Sequence, residues 1–102
     1  MAWGADDALS LCGRLDVRSA PDVRIALRNA VDSGGSEVVV ELSGLEALDS
    51  TGLGVLLEAH RRAVHQGRRL RLHGVPPHME RLLRLTRLHR VFDWDRAARS
   101  AA

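Results

Sequence analysis

A layered α/β fold is what this sequence predicts, with a mixed, mostly parallel sheet of about four to five short strands and three to four helices packed against it. Three observations carry that expectation. Apolar runs of strand length alternate with stretches of helical periodicity, the pattern of a parallel sheet layered against helices. Breakers separate the two kinds of segment at Ser33-Gly34-Gly35, at Gly67 and at Gly74 to Pro77. At 102 residues the chain has room for one domain with a modest core, and not for two.

Taken in order, Ala8 to Cys12 reads as a short strand on its apolar residues Leu9 and Leu11. Asp16 to Ser19 is a turn, and Pro21 suits the first position of a helix. Val23, Ala26, Leu27, Ala30 and Val31 then recur at helical spacing up to the Ser-Gly-Gly stop. Glu37 to Leu42, with three consecutive Val, suits a buried strand. Ser43 to Asp49 reads as a loop. A capped helix comes next, from about Gly52 to Gln66, with an inward stripe of Leu53, Leu56, Leu57, His60 and Val64, and Gly67 at its end. Arg69 to His73 alternates basic residues and Leu, the period of a one-sided strand. After the Gly74 to Pro77 break, Met79, Leu82, Leu83 and Thr86 mark a third helix, and Val91 to Trp94 a short last strand. Arg96 to Ala102 is either a terminal helical turn or a frayed tail.

Composition narrows the function. No apolar run approaches the roughly 18 residues of a membrane span, and Met1 to Asp7 lack the basic start and apolar stretch of a signal peptide. Cys12 is the single cysteine, which excludes an intramolecular disulfide and fits a reducing cytoplasm; it reads as a buried structural residue. All 15 basic residues are Arg, a bias that a GC-rich coding sequence explains as well as an Arg-lined site does. Their distribution says more. Residues 1 to 51 hold 4 Arg against 9 acids, a net of −5, whereas residues 52 to 102 hold 11 Arg against 4 acids, a net of +7. Such a dipolar chain steers partner proteins as readily as nucleic acid. With aromatics confined to Trp3, Phe92 and Trp94, a base-stacking platform is not expected.

The most informative stretch is Leu48 to Leu57, L-D-S-T-G-L-G-V-L-L. Asp49, Ser50 and Thr51 are helix-capping types, and Gly52 and Gly54 remove side chains where another backbone could approach. The outcome is a hydroxyl displayed at the positive end of a helix, a place that can carry a phosphate.

This D-S-T-G-L-G segment resembles the signature of the STAS family, the sulphate-transporter and anti-sigma-factor-antagonist domain. Gly13-Arg14-Leu15-Asp16-Val17 with Ser19-Ala20-Pro21-Asp22 resembles the family's G-x-L-D entry to its first helix, and Leu88-His89-Arg90-Val91-Phe92 its entry to the last strand. The resemblance implies one STAS domain over residues 1–102, with 1–7 a short leading segment and 96–102 a tail. It further implies a stand-alone, cytoplasmic, non-enzymatic anti-sigma factor antagonist. In such a protein Ser50, with Thr51 the next candidate, accepts a phosphoryl group from an anti-sigma factor that is also a serine kinase, and a phosphatase resets it. Asp16, Asp49, Gly52, Leu53 and Gly54 would surround that hydroxyl. Unmodified, the protein would hold the kinase and free a sigma factor.

One departure matters. Domains of this kind begin with an additional strand, and here either Trp3 is its stub or the sheet lacks it, leaving an edge that could pair weakly with a second copy.

Plainer readings stand beside these. Asp49-Ser50-Thr51 also fits a cap with no modification, in a scaffold or sensor subunit that binds a protein or small ligand. Asp16 fits a turn former equally well. Leu45, Leu48 and Val55, off the inferred core stripe and close to Ser50, are the expected partner-binding residues. Arg81, Arg84 and Arg87 share a helical face that is either solvated or an acidic-partner patch. The five His have no ligand spacing, so neither a metal nor a cofactor is expected. No G-x-S-x-G elbow surrounds Ser50, and a chain without Lys has no P-loop lysine.

Overall fold

The computed structural model describes residues 2–3, 8–33 and 35–97. The chain runs β1 (Ala2–Trp3), β2 (Ala8–Ser10), β3 (Gly13–Leu15), α1 (Ala20–Ser33), β4 (Glu37–Glu41), β5 (Leu45–Leu48), α2 (Ser50–His65), β6 (Arg69–Val75), α3 (Pro77–Leu85), a 3₁₀ turn (Leu88–Arg90) and β7 (Asp93–Arg96). Five strands form the main sheet in the order β1-β2-β4-β6-β7, in which only β1 is antiparallel to its neighbour. β3 and β5 form a separate parallel pair. The mostly parallel α/β expectation is met, with three α-helices.

Alternation explains the layering. Leu9, Val38, Val40, Leu70 and Leu72 are buried on one face of the sheet. Most of them join Val23, Leu27 and Val31 of α1, Leu53, Leu56, Ala59 and Ala63 of α2, and Met79 and Leu83 of α3 in one core. The other face carries a charge ladder across β4, β6 and β7. Arg69 pairs with Asp93 and with Glu37 at 3.8 Å, Arg71 with Glu37 at 3.9 Å and Asp95 at 3.8 Å, and His73 lies between Asp95 and Glu41. These half-exposed pairs contribute little each, but they keep that face polar.

Several expectations change. The segment Ser43 to Asp49, expected as a loop, contains β5, and its partner β3 is a further strand that the sequence pattern does not mark. Both are too short for a period to register. Trp3 does belong to a two-residue edge strand, so the edge of β2 is covered by β1. α1 begins at Ala20, placing Pro21 second, and α2 begins at Ser50. The third helix ends at Leu85, before Thr86, and the last strand starts at Asp93 rather than Val91. Arg96, placed with the tail, closes β7, while residues 98–102 of that tail and residues 1 and 4–7 lie outside the described ones. Cys12 is exposed rather than buried, because it follows the end of β2.

The stripe of α2 is rotated relative to expectation. Its buried residues are Gly52, Leu53, Val55, Leu56, Ala59 and Ala63, and Val64 is 59% exposed. Two of the three expected partner residues are therefore core. Leu45 is 3% exposed and Val55 2% exposed, the latter beside Leu27 between α1 and α2. Leu48 alone of the three is half-buried.

Candidate functional site

The parallel pairing of β3 with β5 sets Leu15 against Leu48, so Asp16 and Asp49 leave the same end of the pair. Asp49 ties the start of α2 to that end. Its amide donates to the Leu15 carbonyl at 3.4 Å, its carbonyl accepts from Leu53 at 2.9 Å, and its Oδ1 accepts from the Gly52 amide at 2.9 Å. It is the N-cap of α2, in extended conformation with φ −111° and ψ −175°.

Gly52 is demanded by packing. A Cβ there would stand 2.4 Å from the Leu15 carbonyl oxygen, 2.7 Å from Leu15 Cγ and 2.8 Å from Leu48 Cδ1. The first turn of α2 thus rests on the end of β3. Gly54 differs, since a Cβ there would meet nothing within 4 Å. The close approach expected at both glycines holds within the fold only at Gly52. Leu53, between them, is 5% exposed and belongs to the core.

Ser50 sits on this base as the first residue of α2. Its side chain is exposed, and no hydrogen bond among the described residues engages its hydroxyl, whereas Thr51 beside it is half-buried. The cap is made by Asp49, which leaves the Ser50 oxygen without a structural task. Two positive contributions surround it, the open amides of the first turn and the helix dipole. The adjacent Asp49 carboxylate, which accepts from the Gly52 amide, is a negative contribution beside it.

Asp16 is committed to its own turn. Its Oδ1 accepts from the Arg18 amide at 3.0 Å and the Ser19 amide at 3.3 Å, and Arg14 Nε donates to its Oδ2 at 3.5 Å. Partial desolvation pushes this carboxyl up, but those amides and Arg14 outweigh it and hold Asp16 below the usual carboxylate range. Asp16 thus acts as a turn former, and the register of β3 with β5 puts that turn at the end of the pair from which α2 starts. Val17, in the same turn, is 66% exposed, an apolar surface residue that the sequence does not flag because a turn gives no period.

The remaining candidates lie elsewhere. Arg84 bonds Glu80 at 3.0 Å and stacks 5.7 Å from the Trp94 ring, and Arg87 lies beyond α3 in left-handed conformation, so Arg81, Arg84 and Arg87 present no common face. His60 packs edge-on to Phe92 at 5.4 Å, and desolvation lowers its pKa. Among the described residues no group of three His, Cys, Asp or Glu could hold a metal, and no helix is long and apolar enough to cross a membrane.

Comparisons with known proteins converge on one family. The family model described as "Mlab, STAS domain" matches residues 2–93. An anti-sigma-B factor antagonist of Bacillus subtilis (strain 168) is 31% identical over 88 residues, covering 86% of this chain and 80% of that one. The crystal structure of a candidate anti-sigma factor antagonist from Thermotoga maritima superposes with a TM-score of 0.76 at 25% identity, over 89% of this chain and 81% of the other. The anti-sigma factor antagonist SpoIIAA in its unphosphorylated form superposes with a TM-score of 0.67 at 21% identity, over 89% and 79% of the two chains. At that identity the second likeness is one of fold.

Proposed function

Because this chain belongs to the STAS domain family, among the anti-sigma factor antagonists, we propose that it is a partner switch thrown by phosphorylation of Ser50. The family is one of regulatory binding proteins, not enzymes. In the unmodified state the chain holds an anti-sigma factor kinase and so frees a sigma factor. The kinase transfers the γ-phosphoryl group of ATP to Ser50 Oγ, which loses its proton, and ADP leaves. The modified chain lets the kinase go. A phosphatase then hydrolyses the phosphoester with water and restores the hydroxyl.

The observation that carries this reading is the idle, exposed Ser50 hydroxyl on a first turn that Asp49 has already capped. A phosphate adds about −1.5 to −2 charges at neutral pH. In the free protein the amides and dipole of α2 favour an anion by about 0.3–1 kcal/mol, offset in part by Asp49. The fold therefore tolerates the group. The larger penalty falls on a bound partner, which must desolvate a dianion at the contact. The switch acts on binding and not on folding.

The test incubates the chain with its cognate anti-sigma factor and ATP, maps the modified residue by mass spectrometry, and measures affinity by calorimetry. Phosphate is expected on Ser50. Ser50→Ala keeps its partner, and Ser50→Asp binds at least about tenfold more weakly, roughly 1.4 kcal/mol. Absence of phosphate from both Ser50 and Thr51 rejects the switch. A second reading is favoured by the Asp49 cap itself, which accounts for the motif in a scaffold that is never modified. It predicts that Ser50→Asp binds like the unaltered chain.

A further inference from the structure

A groove of about 380 Å³ runs between β5 and α3. Leu48, Leu82 and Leu85 line it, and Glu46, His78 and Arg81 also border it. Leu48 and Leu82 are half-buried against the core, but Leu85 is 77% exposed, more than any other large apolar side chain among the described residues. An apolar side chain left in water on a groove wall is one whose burial under a partner would be favourable. Small scattered exposures need no explanation, but three leucines along one concave strip form a patch.

The charges around it are uneven. Arg84 and Arg96 converge on Glu80, at 3.0 Å and 2.9 Å, and are spoken for. Arg81 and His78 make no ion pair or hydrogen bond among the described residues. The groove thus offers an unpaired guanidinium and an imidazole against a single carboxylate, Glu46. Its lining also reaches the first turn of α2. Leu48 Cδ1 lies 2.8 Å from where a Cβ on Gly52 would stand, so the side chain that lines the groove also underlies the turn bearing Ser50.

We propose that this groove is an arm of the partner-binding surface, and that its occupant is an acidic amphipathic segment of the protein partner. Apolar side chains of that segment lie along Leu48, Leu82 and Leu85, and its carboxylates meet Arg81 and His78. The proposal rests on the reading of this chain as a binder of a protein partner, and it gives that reading its electrostatics. A phosphate on Ser50 adds negative charge at the Leu48 end of the groove, opposite a segment that is itself negative. Release then results from repulsion along the groove as well as from desolvation at Ser50.

The experiment measures affinity of the full chain for the same anti-sigma factor, using Arg81→Glu and Leu85→Ser, each also in the Ser50→Ala background. Both substituted side chains are exposed, so melting curves should match those of the unaltered chain. Arg81→Glu is expected to weaken binding at least tenfold at low salt, with the loss shrinking as salt rises. Leu85→Ser should weaken it severalfold at every salt concentration. If both variants bind like the unaltered chain, the groove is not a contact and the proposal falls. Capture of phosphatidylglycerol vesicles through Arg81 and Leu85, with no effect on the protein partner, also overturns it by assigning the groove to a membrane surface. Because the Ser50→Ala background cannot be modified there, loss of affinity in it upholds the groove even if Ser50 is never phosphorylated. Silent groove variants beside a weakened Ser50→Asp leave the switch standing alone.

Discussion

The two ends of the α1–α2 pair are held by different means. At the carboxyl ends, charged side chains tie the helices together: Asp32 accepts from Arg62 through both oxygens, at 2.8 Å each, and from Gln66 at 2.9 Å. Arg68 donates to the Val31 carbonyl there, satisfying a group left open at the end of α1. At the amino end of α2, no side-chain ion pair joins the helix to its surroundings among the described residues. Leu15, Leu48 and Gly52 pack there, with one backbone hydrogen bond from Asp49 to Leu15. The difference has a physical use. An end fixed from beneath by packing keeps its outward oxygen idle, so charge can be added to that oxygen without cutting a bond the fold relies on. An end fixed by ion pairs has no such freedom.

The sharpest way to break this comparison is to disturb the packing at Gly52. Gly52→Ala puts a methyl group 2.4 Å from a backbone oxygen that cannot swing aside. Overpacking of this kind costs about 1–3 kcal/mol. Urea unfolding should register that loss, and a stable Gly52→Ala would mean β3 does not support the turn. Gly54→Ala supplies the contrast. Its methyl group meets nothing within 4 Å, and Ala is the better helix former by about 0.8–1 kcal/mol, so the same titration should show a gain.

Next in size is the cap. Asp49→Ala removes the carboxylate that accepts from Gly52 and should cost about 1 kcal/mol. Ser50→Ala, one residue on, should fall within about 0.5 kcal/mol of the unaltered chain, as surface substitutions do. Thermal melts of the pair separate the residue that holds the turn from the one that decorates it. Equal losses would show that the Ser50 oxygen carries structural weight.

Much of the fold is legible in the sequence where period and punctuation agree. Val23, Leu27, Ala30 and Val31 mark α1, the Val run marks β4, and the Arg-Leu alternation marks β6. β3 and β5 are not legible, since three and four residues hold barely one alternation, and in Leu45-Glu46-Ala47-Leu48 it is broken at once by the adjacent Ala47 and Leu48. The burial of Leu45 is hidden for the same reason. The stripe of α2 is misjudged because large apolar residues draw attention and small ones do not. Where α2 lies against α1 the contact is made by Val55 and Ala59, and Val64 is left outside. At the site, the capping types at 49–51 are readable as a group, but their division of labour is not. Which oxygen takes the amide depends on backbone geometry, here the extended Asp49 ahead of Ser50.

The smallest expected effect probes the stapled end through pH. Hydrogen bonds from Arg62 and Gln66, followed by the charge of Arg62, lower the Asp32 pKa to about 2 from an ordinary 3.8. A carboxyl whose pKa is depressed by folding binds fewer protons in the native than in the unfolded chain. Its contribution is therefore full above about pH 4 to 5 and is lost as pH falls toward 2. Asp32→Asn keeps an acceptor but loses the charge, so it should melt slightly below the unaltered chain at pH 6. The gap should close steadily between pH 5 and pH 2, and carboxylates common to both proteins, such as Glu80 and Asp95, cancel in the difference. The staple is exposed, so the gap should be small and should narrow with added salt. A gap that persists unchanged at pH 2 would mean Asp32 acts by packing rather than charge, and the two ends of the helix pair would then be held by one mechanism after all.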